Sequence, residues 1–98
     1  MPRPRIKRTI EEMPKVKYFT SLDKTITSKV KLDVDEWEAI RLKNLMGLHQ
    51  CKAAKKMGIS QPTFHRLILS ANRKIATYLC GGGCLNIVGG NYQLKESV

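Results

Sequence analysis

The chain has 98 residues, room for one domain with one modest core and not for a second independent one. Hydrophobic residues make up 42%, too many for a wholly disordered chain, and no stretch approaches the ~20 apolar residues that would span a bilayer. Lys and Arg number 18 against 8 acids, and the resulting charge of +10 favours a polyanionic partner through phosphate contact and counterion release.

The positive charge is uneven along the chain. Residues 1–32 carry nine basic and three acidic side chains, residues 33–79 carry eight and four, and residues 80–98 carry one of each. Residues 1–8 read as an extended basic arm, because Pro2 and Pro4 each remove a backbone donor and disfavour helix in the preceding residue. Arg3 and Arg5 are candidate phosphate contacts on this arm. No apolar run near it has the length of a secretory signal core, so a cytoplasmic location is expected. Residues 16–18 and 26–32 alternate or are β-branched and predict short strands, with 21–24 as a connection.

From Asp33 the pattern turns helical. Asp33 is a plausible N-cap with Glu36 three residues on, and Asp35, Glu36 and Glu38 crowd the first turn, where negative charge suits the helix dipole. Trp37, Ile40 and Leu45, flanked by Ala39 and Leu42, are the expected apolar face, and Gly47 is the expected stop. A second helix is predicted from Gln50 to Met57 with Ala53, Ala54 and Met57 inward. A third, capped by Ser60 with Pro62 in its first turn, runs to about Leu79. Its apolar stripe is Phe64, Leu67, Ile68, Ala71, Ile75, Tyr78 and Leu79. Gly81, Gly82 and Gly83 break it, 85–87 can form a short strand, and the last six residues read as frayed. The expected fold is therefore mainly α: a three-helix unit over 33–79 between a basic N-terminal arm (1–32) and a Gly-rich C-terminal tail (80–98), both with short β or extended pieces.

Residues 50–69 meet the constraints of a helix-turn-helix. Ala54 is the small residue where two steeply crossing helices touch. Gly58 accepts the left-handed backbone of a short turn, and Ile59 plugs that turn. The side of the third helix opposite its apolar stripe holds Pro62, Arg66, Leu69 and Arg73, flanked by Gln61, Thr63, His65 and Ser70. In this motif the start of the second helix faces base edges in the major groove. Gln61 can read adenine and Arg66 guanine, with Pro62, Thr63 and His65 beside them. Lys52, Lys55 and Lys56 on the preceding helix, with Arg73 and Lys74 farther along, are candidate phosphate contacts. The expected partner is double-stranded DNA. A homodimer on paired half-sites is open.

Cys51, Cys80 and Cys84 are an odd number, expected to be free thiols. Cys80 and Cys84 lack the further ligands of a structural zinc site, so no metal is expected. No nucleophile–base–acid set or phosphate-binding glycine loop is present, which argues against an enzyme and against a cofactor.

An ordered series of motifs resembles the UPF0251 (DUF134) family. It comprises Met1-Pro2-Arg3-Pro4-Arg5, Tyr18-Phe19, Glu38-Ala39-Ile40-Arg41-Leu42, Gly47-Leu48, Ala53-Ala54, residues 57–64, residues 70–76 and Gly89-Gly90-Asn91-Tyr92. The resemblance implies a small prokaryotic DNA-binding protein with a central region similar to region 4 of sigma-70-type factors, and hence a role in transcription. Because that region also contacts RNA polymerase, it leaves a protein-interaction module as the alternative, with Leu69 as an exposed apolar contact. Two features depart from the family. Ser and acidic residues around the second helix are replaced by His49, Cys51, Lys52, Lys55 and Lys56, which predicts a weaker cap and stronger phosphate attraction. The run from Cys80 to Cys84 replaces a polar, single-glycine connection and reads as flexible.

Overall fold

The computed structural model describes residues 7–95. Three helices are wrapped by five short strands: β1 (Arg8–Ile10), β2 (Tyr18–Thr20), β3 (Lys29–Leu32), α1 (Val34–Ile40), α2 (Gln50–Met57), α3 (Gln61–Gly81), β4 (Cys84–Ile87) and β5 (Tyr92–Leu94). The three expected helices are present, and with strands in both flanking pieces the chain is mixed α/β and not purely helical. β4 lies between β2, antiparallel, and β3, parallel, while β1 pairs in parallel with β5. The N-terminal and C-terminal pieces thus pair with each other around the helices.

The helical core follows the apolar spacing. Ala39, Leu42, Ala53, Ala54, Met57, Phe64, Leu67, Ile68 and Ala71 are buried together with Ile10, Leu32, Val34, Leu85 and Ile87 from the strands and their flanks. Two expected core residues face out instead: Leu45 is 79% exposed and Leu79 74%. For Leu45 the cause is a π-helical segment, Arg41–Leu45, that continues α1. Its wider turn, closed by Met46 N donating to Arg41 O at 2.9 Å, swings Leu45 off the stripe and leaves Ala39 and Leu42 inside. Leu79 lies in the last turns of α3, beyond the buried part of its stripe.

Asp33 caps α1 in a capping box with Glu36, and Asp35 and Glu36 stand in its first turn as expected, but the acidic cluster is buried. Asp35, Glu36 and Glu38 are all buried, and each holds a cation. Arg8 Nη1 donates to Asp35 Oδ2 at 2.5 Å, so Arg8 belongs to the fold and not to a free arm. Lys74 Nζ and Ser70 Oγ each donate to Glu36 at 2.6 Å, and the Asp33 amide donates to Glu36 Oε1 at 2.9 Å. Arg41 binds Glu38 through Nε at 2.6 Å and Nη2 at 3.1 Å, and the Glu11 amide donates to the same carboxylate at 2.7 Å. These bonds satisfy charges that would otherwise be costly to bury.

A pH dependence follows. Burial alone would raise the Glu36 carboxyl, but the bonds from Lys74, Ser70 and the Asp33 amide, together with the Lys74 charge, outweigh it and hold it below its ordinary 4.5. Glu11 is also held low: burial opposes, and Lys56 and Arg41 prevail. A depressed carboxyl contributes stability that is present above its unfolded value and lost as pH falls through the folded one. Denaturant melts are therefore expected to weaken on acidification below about pH 4.5. Glu36→Gln should flatten part of that slope, and an unchanged slope in the variant would contradict the assignment.

Candidate nucleic-acid interface

The α2–α3 segment is shaped by local chemistry. His49 caps α2 through its ring, with Nδ1 accepting from the Cys51 amide at 3.3 Å. The expected weaker cap is thus supplied by the imidazole. Gly58 ends α2 at φ 69°, a left-handed position, and its amide reaches Lys55 O at 3.1 Å. Ile59 N donates to Ala54 O at 3.0 Å, closing the turn over residues 58–60. Ser60 then caps α3: its Oγ accepts from the Thr63 amide at 3.3 Å and donates to Thr63 Oγ1 at 2.8 Å. Ala53, Ala54 and Met57 pack in the same core as Phe64, Leu67 and Ile68, so the two helices are held at a fixed angle.

The start of α3 presents Gln61, Pro62, His65 and Arg66 to solvent, with Thr63 half-buried beside them. Gln61, Pro62 and His65 line an open concavity of about 320 Å³ with Gln50 from the start of α2. Sequence reasoning did not single out Gln50. Its place beside Gln61 depends on the angle between the helices, which no local pattern carries. Arg66 Nη2 reaches Thr63 Oγ1 only loosely, at 3.4 Å, so its guanidinium is largely uncommitted.

The basic residues divide into two groups. The side chains of Lys52, Lys55 and Arg73 are exposed and make no hydrogen bond or ion pair among the described residues. Lys56 pairs with Glu11 at 3.5 Å, and Lys74 with buried Glu36 at 2.6 Å. Arg3 and Arg5 lie outside the described residues. The glycine-rich run after α3 holds no open loop: Gly83 is threaded between Ser21 and Ser28, and Cys84 enters β4. No group of three or more His, Cys, Asp or Glu among the described residues could hold a metal ion. No described helix is long and apolar enough to cross a membrane.

The family model described as "Protein of unknown function DUF134" matches residues 1–95. The chain belongs to this family, UPF0251. It is 44% identical over 96 residues to a UPF0251 protein of Dehalococcoides mccartyi, covering 96% of this chain and 82% of that protein. It is 43% identical over 98 residues to a UPF0251 protein of Pelotomaculum thermopropionicum, covering 98% and 74%. A third UPF0251 protein, of Caldicellulosiruptor saccharolyticus, is 46% identical over 92 residues, 94% of this chain and 66% of that one. No solved structure matches the chain. The names of these UPF0251 relatives state no activity.

Proposed function

We propose that this chain binds double-stranded DNA sequence-specifically, as a transcriptional regulator, with α2 and α3 acting as a helix-turn-helix. One observation carries the reading. The helices α2 and α3, joined by the short turn over residues 58–60, expose, at the start of α3, polar side chains with almost no internal partners, beside unpaired cations on α2. A surface helix that served only the core would have no need of uncommitted Gln61, His65 and Arg66 at one end. The start of α3 enters the major groove, where Gln61 and Arg66 have the donor and acceptor forks for adenine and guanine, and Pro62, Thr63 and His65 flank them. Lys52, Lys55 and Arg73 meet phosphates. Lys74 leaves that set, because its ammonium is already held by Glu36, and Lys56 is shared with Glu11.

Two substitutions separate the roles. Arg66→Ala should cost ~1–3 kcal/mol on the preferred site and relax the sequence there, with little change on random DNA. Lys52→Ala should weaken all sequences alike and lower the salt slope by about 1. Equal losses from Arg66→Ala on preferred and random DNA would demote that residue to a phosphate contact. Co-purification with RNA polymerase without retention on DNA would replace this reading with that of an interaction module.

A further inference from the structure

The register of the β2–β4–β3 sheet sorts its side chains onto two faces. One face, with Leu32, Leu85 and Ile87 buried, packs on the helices. The opposite face carries two rows across the strands: Tyr18, Asn86 and Lys31 in one, Thr20, Cys84 and Lys29 in the next. Tyr18, Thr20, Lys29 and Lys31 are exposed, and Cys84 and Asn86 are half-buried. The first row therefore sets an aromatic ring at one edge, an amide at the centre and an ammonium at the other edge, with neighbours about 4.8 Å apart.

Charge and shape together select the occupant. Neither row holds a carboxylate. Lys29 makes no hydrogen bond or ion pair among the described residues. Lys31 reaches only Asp33, at 3.6 Å and in solvent, a pair that holds it weakly. Beyond the Thr20 row the face opens into a hollow of about 230 Å³, whose walls add Lys24 and the hydroxyls of Thr27 and Ser28. The acid at this hollow, Asp23, is turned to Thr25, accepting from its amide at 2.9 Å and its hydroxyl at 2.7 Å. Such a face on a chain of charge +10 attracts a polyanion. A duplex hides its base faces in the stack and would leave the Tyr18 ring unmatched, as would an acidic peptide. A single strand offers phosphates, base faces and base edges at once, and an open sheet with an aromatic ring, an amide and cations suits it.

We propose that the outer face of this sheet binds single-stranded nucleic acid. A base stacks on Tyr18, the Asn86 amide meets a base edge, and Lys29 and Lys31 hold phosphates. The surface is separate from the start of α3: Gly81, which leads into β4, lies about 30 Å along that helix from Gln61. The proposal stands on this face alone and does not require that α3 reads a duplex.

Fluorescence anisotropy of the full chain with labelled single strands of about 12 nucleotides tests it. One strand is DNA and one RNA, in the same sequence without self-complementarity, and the tighter of the two names the source. Tyr18→Leu should weaken binding about tenfold. Lys29→Ala should lower the salt slope by about 0.7, the value for one phosphate of a single strand. Lys43→Ala, which removes the same charge from the π-helical segment, should change neither. Circular dichroism checks that each variant folds, and the double variant Lys29→Ala, Lys31→Ala replaces Tyr18→Leu if that one does not. Failure to bind either strand overturns the proposal, as does binding indifferent to the folded sheet variants. Losses from Tyr18→Leu that are as large on a duplex of the same sequence overturn it too, in favour of a phosphate contact alone. Single-strand binding that depends on Tyr18, without any duplex selection, would sink the α2–α3 reading and leave this one standing.

Discussion

Arg41→Met is expected to remove about 3–5 kcal/mol of folding stability, a large share of what a domain of this size has. Arg41 gathers three carboxylates. It binds Glu38 through two nitrogens and also reaches Glu11 and Glu12, each at 3.1 Å. Its own charge is secured in return: the Glu38 bond raises its pKa, burial opposes, and the charges of Glu38 and Glu12 with the Glu11 bond add to the rise. Glu38 is fully buried, so removing the guanidinium leaves an ion with one amide donor from Glu11 and no counter-charge. Lysine cannot substitute, because a single ammonium cannot present the fork that grips both Glu38 oxygens. The double variant Arg41→Met, Glu38→Met should recover most of the loss, since the cost lies in stranding one partner. Urea melts of the two single variants and the double variant measure this directly. A loss below about 1 kcal/mol for Arg41→Met would place the pair among surface salt bridges of little consequence.

The second large effect is expected at Gly83. Its φ is +88°, and a methyl group there would lie 2.7 Å from the Ser28 carbonyl carbon and collide with its oxygen. The obstacle is backbone, so no rotamer change relieves it. The same Ser28 oxygen accepts from Cys84 N at 2.9 Å, and the Gly83 carbonyl accepts from Ser21 N at 2.8 Å, so a shift would unpair β4 at the point where it joins β2 and β3. Left-handed strain of ~1–2 kcal/mol and overpacking of ~1–3 kcal/mol put Gly83→Ala at about 3 kcal/mol. Gly81→Ala is the internal control. Gly81 closes α3 with nothing within 4 Å of an added Cβ, so alanine there should be neutral or slightly stabilising. Thermal melts showing equal effects at the two positions would contradict this account.

Those two residues mark where the sequence was hard to read. The caps of α2 and α3 and the stop of α2 are local events, so His49, Gly58 and Ser60 announced them within a residue. The polar start of α3 was equally legible, because one helical period separates it from Phe64 and Leu67. The strand-forming stretches 26–32 and 85–87 were legible and hold β3 and β4, but the pairing of the strands was not. β1 finds β5, and β3 finds β4, across long stretches of chain, and three- or four-residue strands carry little pattern of their own. For the same reason the supposedly frayed end turned out to hold β5, and the glycine run proved a close-packing device. Asp35 and Glu38 read as ordinary first-turn acids because their partners, Arg8 and Arg41, became evident only with β1 and the π segment in place. Within the candidate interface, the missing information was which cations were already spent. Lys74 looks as free as Arg73 in the sequence, and only the approach of α1 to α3 separates them.

In the proposed function the start of α3 reads DNA while free cations beside it grip phosphate. The most direct measurement is selection from random duplex DNA by the purified chain, followed by a salt titration on the enriched site. One enriched sequence is expected, bound with a log–log salt slope of about −3 per chain from Lys52, Lys55 and Arg73. The preference is also expected to relax in Arg66→Ala while that slope persists. No enrichment at any salt concentration, or retention that Lys52→Ala and Arg66→Ala leave untouched, would contradict that function.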